Sequence, residues 1–215
     1  MITRTAANKL KQLATHFKAV AVTGPRQSGK TTLTKAVFPD KVYVSLENLD
    51  NRRFAINDPK GFLNTYSEGA IFDEIQRVPE LFSYLQEKLD ETTQKGKYIL
   101  TGSNNFLMQE SISQTLAGRI AHLFLMPFSV LELQQAKVLP PTDNELILKG
   151  FYPPIYDQDL PPNDWHGNYI RTYIERDVRQ IKNITDLLTF ERFMGLLAGR
   201  CGQELNMSAL GIEVG

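Results

Sequence analysis

The residues Gly24-Pro25-Arg26-Gln27-Ser28-Gly29-Lys30-Thr31 fit the spacing G-x-x-x-x-G-K-[ST]. At ordinary residue usage, a chain of this length matches that pattern by accident roughly 1% of the time. Each fixed position has a chemical reason. Gly24 and Gly29 carry no Cβ, so the backbone between them can turn its N–H groups inward around anionic oxygens. A helix beginning near Lys30 points its positive dipole end at the same oxygens. Lys30 supplies a mobile positive charge, and the Thr31 hydroxyl is placed to ligate a divalent cation. Residues 24–31, with Thr32 following, therefore read as a grip for the phosphates of a nucleoside triphosphate.

A second pair of groups bears on what happens to that phosphate. Ala70-Ile71-Phe72-Asp73-Glu74 is an apolar run ending in two carboxylates. A buried strand with this ending places Asp73 at a sheet edge, where it can hold Mg²⁺, usually through water. Glu74 is then positioned to orient and polarise an attacking water, which suits hydrolysis better than transfer to a substrate hydroxyl. Thr101-Gly102-Ser103-Asn104-Asn105 follows another apolar run. Asn104 or Ser103 could sense the phosphate there; the same residues also form ordinary turns. Arg119 ends the segment TLAGR. It is either the favourable cation of a helix C-terminus or a finger reaching a neighbouring subunit's nucleotide, an effect worth about 10³–10⁵ in rate where one operates.

These residues need elements to hold them. Residues 5–17 place Leu10, Leu13, Ala14 and Phe17 at helical spacing. The run 18–23 is a buried strand feeding the loop, and 30–37 is a helix stopped by Pro39. Strands follow at 41–47, 70–74, 98–101 and 120–126, with two short helices broken at Asp58-Pro59 and longer ones at 80–94 and 106–118. Strand and helix in alternation predict a parallel sheet with helices on both faces. One full strand, 41–47, lies between Lys30 and Asp73, the arrangement of the additional-strand ATPases. Residues 139–162, with their paired prolines, read as an irregular connection. Helices at 164–181 and 186–200 come next, the second burying Leu187, Phe190, Met194 and Leu197.

Composition sets the bounds. The 24 Lys and Arg balance the 24 Asp and Glu, so bulk charge does not favour a nucleic-acid partner. Residues 1–40 nevertheless hold Arg4, Lys9, Lys11, Lys18, Arg26, Lys30 and Lys35 against Asp40 alone. Arg4, Lys9, Lys11 and Lys18 read as the solvated face of the first helix. Cys201 is the sole cysteine, which excludes a disulfide framework and points to a reducing compartment. No apolar stretch is long enough to span a bilayer. The expectation is a cytoplasmic protein with no membrane partner.

Taken in order, GPRQSGKTTL, AIFDEIQ, YILTGSN, TLAGRI, MPFSVLEL and YIRTYIERDVRQIKNI resemble bacterial and archaeal ATPases of the AAA+ superfamily. In that group an ATPase core precedes helices, a winged-helix-like segment and a C-terminal domain of unknown function. The resemblance implies ATP on Gly24 to Thr32, Mg²⁺ on Thr31 and Asp73, and Glu74 as the water-activating residue. It also implies Asn104 near a sensor position and Arg119 near a finger position. The tail LNMSALGIEVG stops where a recognition helix should begin, so the chain reads as the front part of a longer one. Arg171, Glu175, Arg176, Asp177 and Arg179 read as a salt-bridged helix face or as the source of a second sensor.

The expected fold is α/β: a three-layer, additional-strand P-loop NTPase sheet over residues 1–150. A helical lid with a partial winged-helix segment follows over 151–215. The expected function is Mg²⁺-dependent ATP binding and hydrolysis, coupled to DNA or a protein partner through the C-terminal region, with a homo-oligomer in view. The alternative is an ATP-binding switch with little turnover. A small-molecule kinase is disfavoured by the Asp73-Glu74 doublet.

Overall fold

Ala19 to Gly24 forms strand β1, buried along its whole length. Side chains alternate across a strand, so a strand buried on both faces needs apolar layers above and below it. The computed structural model describes residues 2–103, 116, 118–174 and 186–215 of the chain. It places β1 in a five-stranded sheet of order β2-β3-β4-β1-β5, with β2 Val42–Ser45, β3 Ala70–Asp73, β4 Tyr98–Ser103 and β5 Ile120–Phe124. Every pairing is parallel; Ala19 faces Tyr98 on one side and Ile120 on the other, and Val42 faces Ala70. The strand that separates β1 from β3 is β4. The 41–47 strand, expected to be the additional one, is β2, which lies at the sheet edge beside β3, a correction that follows from strand order in space differing from order in sequence.

Helices connect the strands. The helix α1 spans Ala6–His16, α2 Lys30–Val37, α3 Leu49–Asn57, α4 Pro59–Thr65 and α5 Leu81–Glu91. Asp58 ends α3 and caps α4, its carboxylate accepting from the Gly61 N–H at 2.8 Å, while Pro59 takes the first turn where no donor is needed. One face of the sheet packs an aromatic cluster. Phe72 lies 5.3 Å from Phe62, 5.7 Å from Tyr66 and 5.5 Å from Tyr98, ring centre to ring centre. The other face buries Leu10 of α1 and Leu33 of α2 against Val20, Val22, Ile71 and Ile99. This three-layer arrangement carries the phosphate-loop helix on one face and the α4–α5 pair on the other.

Residues 139–162 differ from the irregular connection expected. After α6, Val130–Gln135, they form α7, Asp143–Lys149, and α8, Pro153–Asp157. Thr142 caps α7 through the Glu145 N–H at 3.3 Å, and Pro153 sits in the first turn of α8. Pro153 thus starts a helix rather than preventing one, and Pro140 and Pro141 lie ahead of the Thr142 cap. The helix α9, Pro162–Tyr169, continues as a π-helix through Ile174, so only the front of the expected helix 164–181 is described. The expected helix 106–118 lies outside the described residues except at its end.

The chain divides into two compact units, Met1–Pro162 and Asn163–Gly215. In the second, α10, Leu187–Gly199, packs against α11, Met207–Val214. Asp186 and Asn206 cap these helices through the N–H groups of Leu188 and Ala209. The expected burial of Leu187, Phe190, Met194 and Leu197 is corrected: α10 buries no residue fully, and Met194 is 38% exposed. Of that apolar stripe, α11 covers only part among the described residues. Among the described residues, no helix is long and apolar enough to cross a membrane.

Replacing Phe72 with Ala removes the ring on which Phe62, Tyr66 and Tyr98 converge. The expected loss is about 3–5 kcal/mol of unfolding free energy. Urea denaturation of both proteins measures it, and a loss below about 1 kcal/mol would show that this cluster is not the packed centre of the domain.

Candidate functional site

At Gly24 the chain leaves the sheet under tight constraint. A Cβ there would stand 2.1 Å from the Leu125 carbonyl oxygen, so no side chain fits between β1 and the exit of β5. The loop then passes through positive φ at Gln27, 58°, and at Gly29, 89°. The left-handed region costs a residue with a Cβ roughly 1–2 kcal/mol, and such conformations gather at ligand clamps. Gly29 sits just before α2, whose first N–H groups have no partner within their own helix.

Lys30 opens α2 and is 6% exposed. Its ammonium donates to the carbonyls of Gly24 at 3.1 Å and Pro25 at 2.7 Å. Burial lowers its pKa; Glu74 and Asp73 pull it back up, and Arg26 adds to the lowering. The cation is thus desolvated and held by neutral dipoles. The Ser28 hydroxyl is buried beside it with no hydrogen-bond partner among the described residues. A cavity that desolvates a cation and strands a hydroxyl is electrostatically prepared for an anion.

Asp73 ends β3 and is 7% exposed. Its Oδ2 accepts from the Thr31 hydroxyl at 3.0 Å and from the Tyr43 hydroxyl at 2.6 Å, while its Oδ1 accepts from the Thr101 hydroxyl. Three strands and α2 therefore meet on one carboxylate. Burial, and then the bond and charge of Asp73, push the Tyr43 pKa upward; the Lys35 ammonium lies 3.4 Å from the Tyr43 ring centre. A hydroxyl and a carboxylate in contact are hard oxygen donors, the set Mg²⁺ takes when phosphate oxygens complete its shell. Among the described residues no three His, Cys, Asp or Glu side chains gather into an all-protein metal cage, which that mode does not require.

Glu74 adopts the left-handed conformation, φ 55° and ψ 44°. Gln76 donates from Nε2 to Glu74 Oε2 at 2.5 Å and to the Ser103 hydroxyl at 3.1 Å, tying the ends of β3 and β4 together. Burial raises the Glu74 pKa and Asp73 adds to it, against Lys30, Arg26 and the Gln76 bond. A carboxylate whose proton affinity is raised in this way is a better base than one in water.

The other expected residues divide. Pro25, Arg26, Gln27 and Thr32 all lie on the loop or the first turn of α2. Arg119 does not join them. It directly precedes Ile120, which pairs with Ala19, at the strand-start edge of the sheet. Its guanidinium meets the Asp90 carboxylate at 2.6 and 3.0 Å. Five strand residues, about 16 Å, separate that edge from the loop. Asn104, Glu175, Arg176, Asp177 and Arg179 lie outside the described residues; Arg171 is exposed.

Arg4 is corrected outright. It is not a solvated helix position: its Nε meets Glu132 Oε1 at 3.2 Å, with side-chain exposures of 9% and 3%. Arg4 also donates to the Ser28 carbonyl at 2.7 Å, the Met126 carbonyl at 2.5 Å and the Pro127 carbonyl at 3.1 Å, and lies 5.0 Å from the Phe128 ring centre. Glu132 closes a capping box with Ser129 and accepts from the Thr5 N–H at 2.7 Å. The Lys18 ammonium is likewise engaged, donating to the Leu89 carbonyl at 2.6 Å. Beside the loop, a mostly apolar cavity of about 190 Å³ opens between Ile2, Arg4, Thr32, Leu33, Phe128 and Pro153.

Comparison with known proteins bears on the family and the fold. The AAA domain family matches residues 16–134. The chain belongs to that family. Residues 143–215 of this AAA protein match a domain of unknown function, DUF8612. It is 30% identical over 205 residues to uncharacterized proteins of Mycobacterium bovis and Mycobacterium tuberculosis, and those alignments cover 93% of this chain and 45% of each relative. The chain thus spans about half the length of the curated relatives it matches. The Walker-type ATPase of Pyrococcus abyssi superposes with a TM-score of 0.56 at 14% identity, over 100% of this chain and 89% of that one. The shared fold is that of P-loop ATPases.

Two measurements check the geometry. Tyr43→Phe leaves Asp73 one donor short, and a bond to a charged group is worth about 1.5–3 kcal/mol; urea unfolding should show that loss, and unchanged stability would mean the bond does not hold in solution. The Glu132 case depends on pH. Burial opposes its charge, but the Ser129 and Thr5 N–H groups, Arg4 and the Thr5 hydroxyl together hold its pKa below the ordinary 4.5. Glu132 therefore contributes stability that is complete above pH 4.5 and lost as pH falls through its lower folded value. Glu132→Gln should flatten the acid limb of a stability–pH curve; an unchanged limb contradicts the burial of this pair.

Proposed function

We propose that this protein binds ATP with Mg²⁺ on the loop from Gly24 to Thr32 and hydrolyses it. The observation that carries the reading is the buried Lys30 ammonium, held on the Gly24 and Pro25 carbonyls while the neighbouring Thr31 hydroxyl donates to Asp73. In this reading Lys30 leaves the Gly24 and Pro25 carbonyls to donate to the β- and γ-phosphate oxygens. Ser28 and the α2 N–H groups complete the anion shell. Thr31 and Asp73 would hold Mg²⁺, which supplies charge neutralisation across the β- and γ-phosphates. Glu74 accepts a proton from the attacking water, and Gln76 fixes the direction of its carboxylate. The apolar cavity between Ile2, Leu33, Phe128 and Pro153 takes the base.

Arg119 serves, in this proposal, a neighbouring subunit's nucleotide, since its own loop lies at the opposite sheet edge. Turnover is passed on through the C-terminal helices to DNA or a protein partner. Leu188 and Ile212 there are 77% and 83% exposed, apolar surface of the kind a partner covers.

Glu74→Gln should bind ATP as the natural protein does and lose turnover by at least about 10²-fold. Lys30→Ala should lose binding itself. Phosphate release and fluorescent-nucleotide titration separate the two effects. If Glu74→Gln hydrolyses ATP at the unaltered rate, the role given to Glu74 is wrong.

A further inference from the structure

Arg4 joins three segments far apart in the chain. Its Nε binds Glu132 in α6, its Nη1 the Ser28 carbonyl of the phosphate loop, and its Nη2 the Met126 and Pro127 carbonyls after β5. Four of the guanidinium's five N–H groups are thereby placed, each in a direction set by the planar fork. Glu132 in turn holds the strap before α1 by accepting from both the N–H and the hydroxyl of Thr5. Ile2, Thr3 and Arg4 of the same strap line the cavity beside the loop, opposite Thr32 and Phe128. Nothing in α1 itself needs a buried ion pair, and a buried pair is weak as a stabiliser because desolvation offsets its attraction. Its value here is positional.

We infer that Arg4 and Glu132 form a latch that couples the N-terminal strap to the phosphate loop, making residues 2–5 a wall of the nucleotide site that loop occupancy holds in place. The coupling runs through the Ser28 carbonyl. Arg4 meets that carbonyl at 2.7 Å and Ile2, Thr3 and Arg4 line the cavity, so a phosphate that fixes the loop also fixes the strap. Coupling of this kind is reciprocal: nucleotide tightens the strap by the factor by which the strap tightens nucleotide. Arg4 and Glu132 are positioning residues, and neither touches the reacting phosphate. This inference rests on the reading of residues 24–32 as an ATP site.

The test pairs hydrogen exchange at the Thr5 amide with calorimetric titration of MgATP, on the full chain. In the natural protein MgATP should slow Thr5 exchange by about tenfold, within the usual range for coupled sites. Arg4→Lys keeps a charge for Glu132 but loses the fork; it should weaken MgATP by a similar factor and abolish the effect of MgATP on Thr5. Glu132→Gln is the second variant, should the first fail to fold, with the same expectation. Should the natural protein bind MgATP with no change at Thr5, the latch is overturned and the ATP site stands. Unweakened MgATP binding by a folded variant overturns the latch in the same way. If the natural protein binds no MgATP, both fall together.

Discussion

The site depends on a cation taken out of water with no counter-ion in contact among the described residues. Lys30 is buried, and its ammonium rests on two main-chain carbonyls. Burial lowers its pKa, with Glu74 and Asp73 acting against that shift, and neutral dipoles are a weaker partner for a desolvated charge than an anion. In the proposed function, an anion brought into the cradle supplies the charge that the carbonyls do not. The stranded Ser28 hydroxyl and the left-handed turns at Gln27 and Gly29 belong to the same preparation. Each is a small cost to the fold that, in the proposed function, a phosphate group would offset.

Holding that arrangement is the task of the sheet. Because β4 lies between β1 and β3, the loop and the Asp73-Glu74 corner are separated by one strand's width. Thr101 and Ser103 of β4 fill that gap with hydroxyls, one to Asp73 and one to Gln76. Tyr43 closes Asp73 from the outer strand. The apolar layers above and below fix the strands, so these hydroxyls meet the carboxylate without rearrangement. Arg4 and Glu132 extend the same logic to the loop's outer side.

Much of this was legible in the residues. The phosphate loop, the strand ending in Asp73-Glu74 and the helix break at Asp58-Pro59 each follow from a local pattern whose cause lies within about ten residues. Which strand separates β1 from β3 does not: sequence order points to 41–47, where the sheet inserts β4. What escaped was long-range. Arg4 reads as one more charge on an amphipathic helix until the fold brings Glu132 to it across 128 positions. Tyr43 and Thr101 look like ordinary strand residues until the strand order is known. A partial signal for Glu132 was present: Ser129-Val130-Leu131-Glu132 has capping-box spacing, which marks a helix start though not its distant partner. Residues 139–162 were misread because paired prolines suggest irregular chain, while Thr142 and Pro153 are also good helix beginnings.

Isothermal titration of the folded natural protein with ATP, with and without magnesium, addresses the central claim most directly. The account predicts saturable heat at one site per chain, stronger with magnesium because Thr31 and Asp73 then share the ion with the phosphates. A folded sample that gives no heat under either condition would contradict it, for then the buried Lys30 ammonium would be serving the fold and not a phosphate.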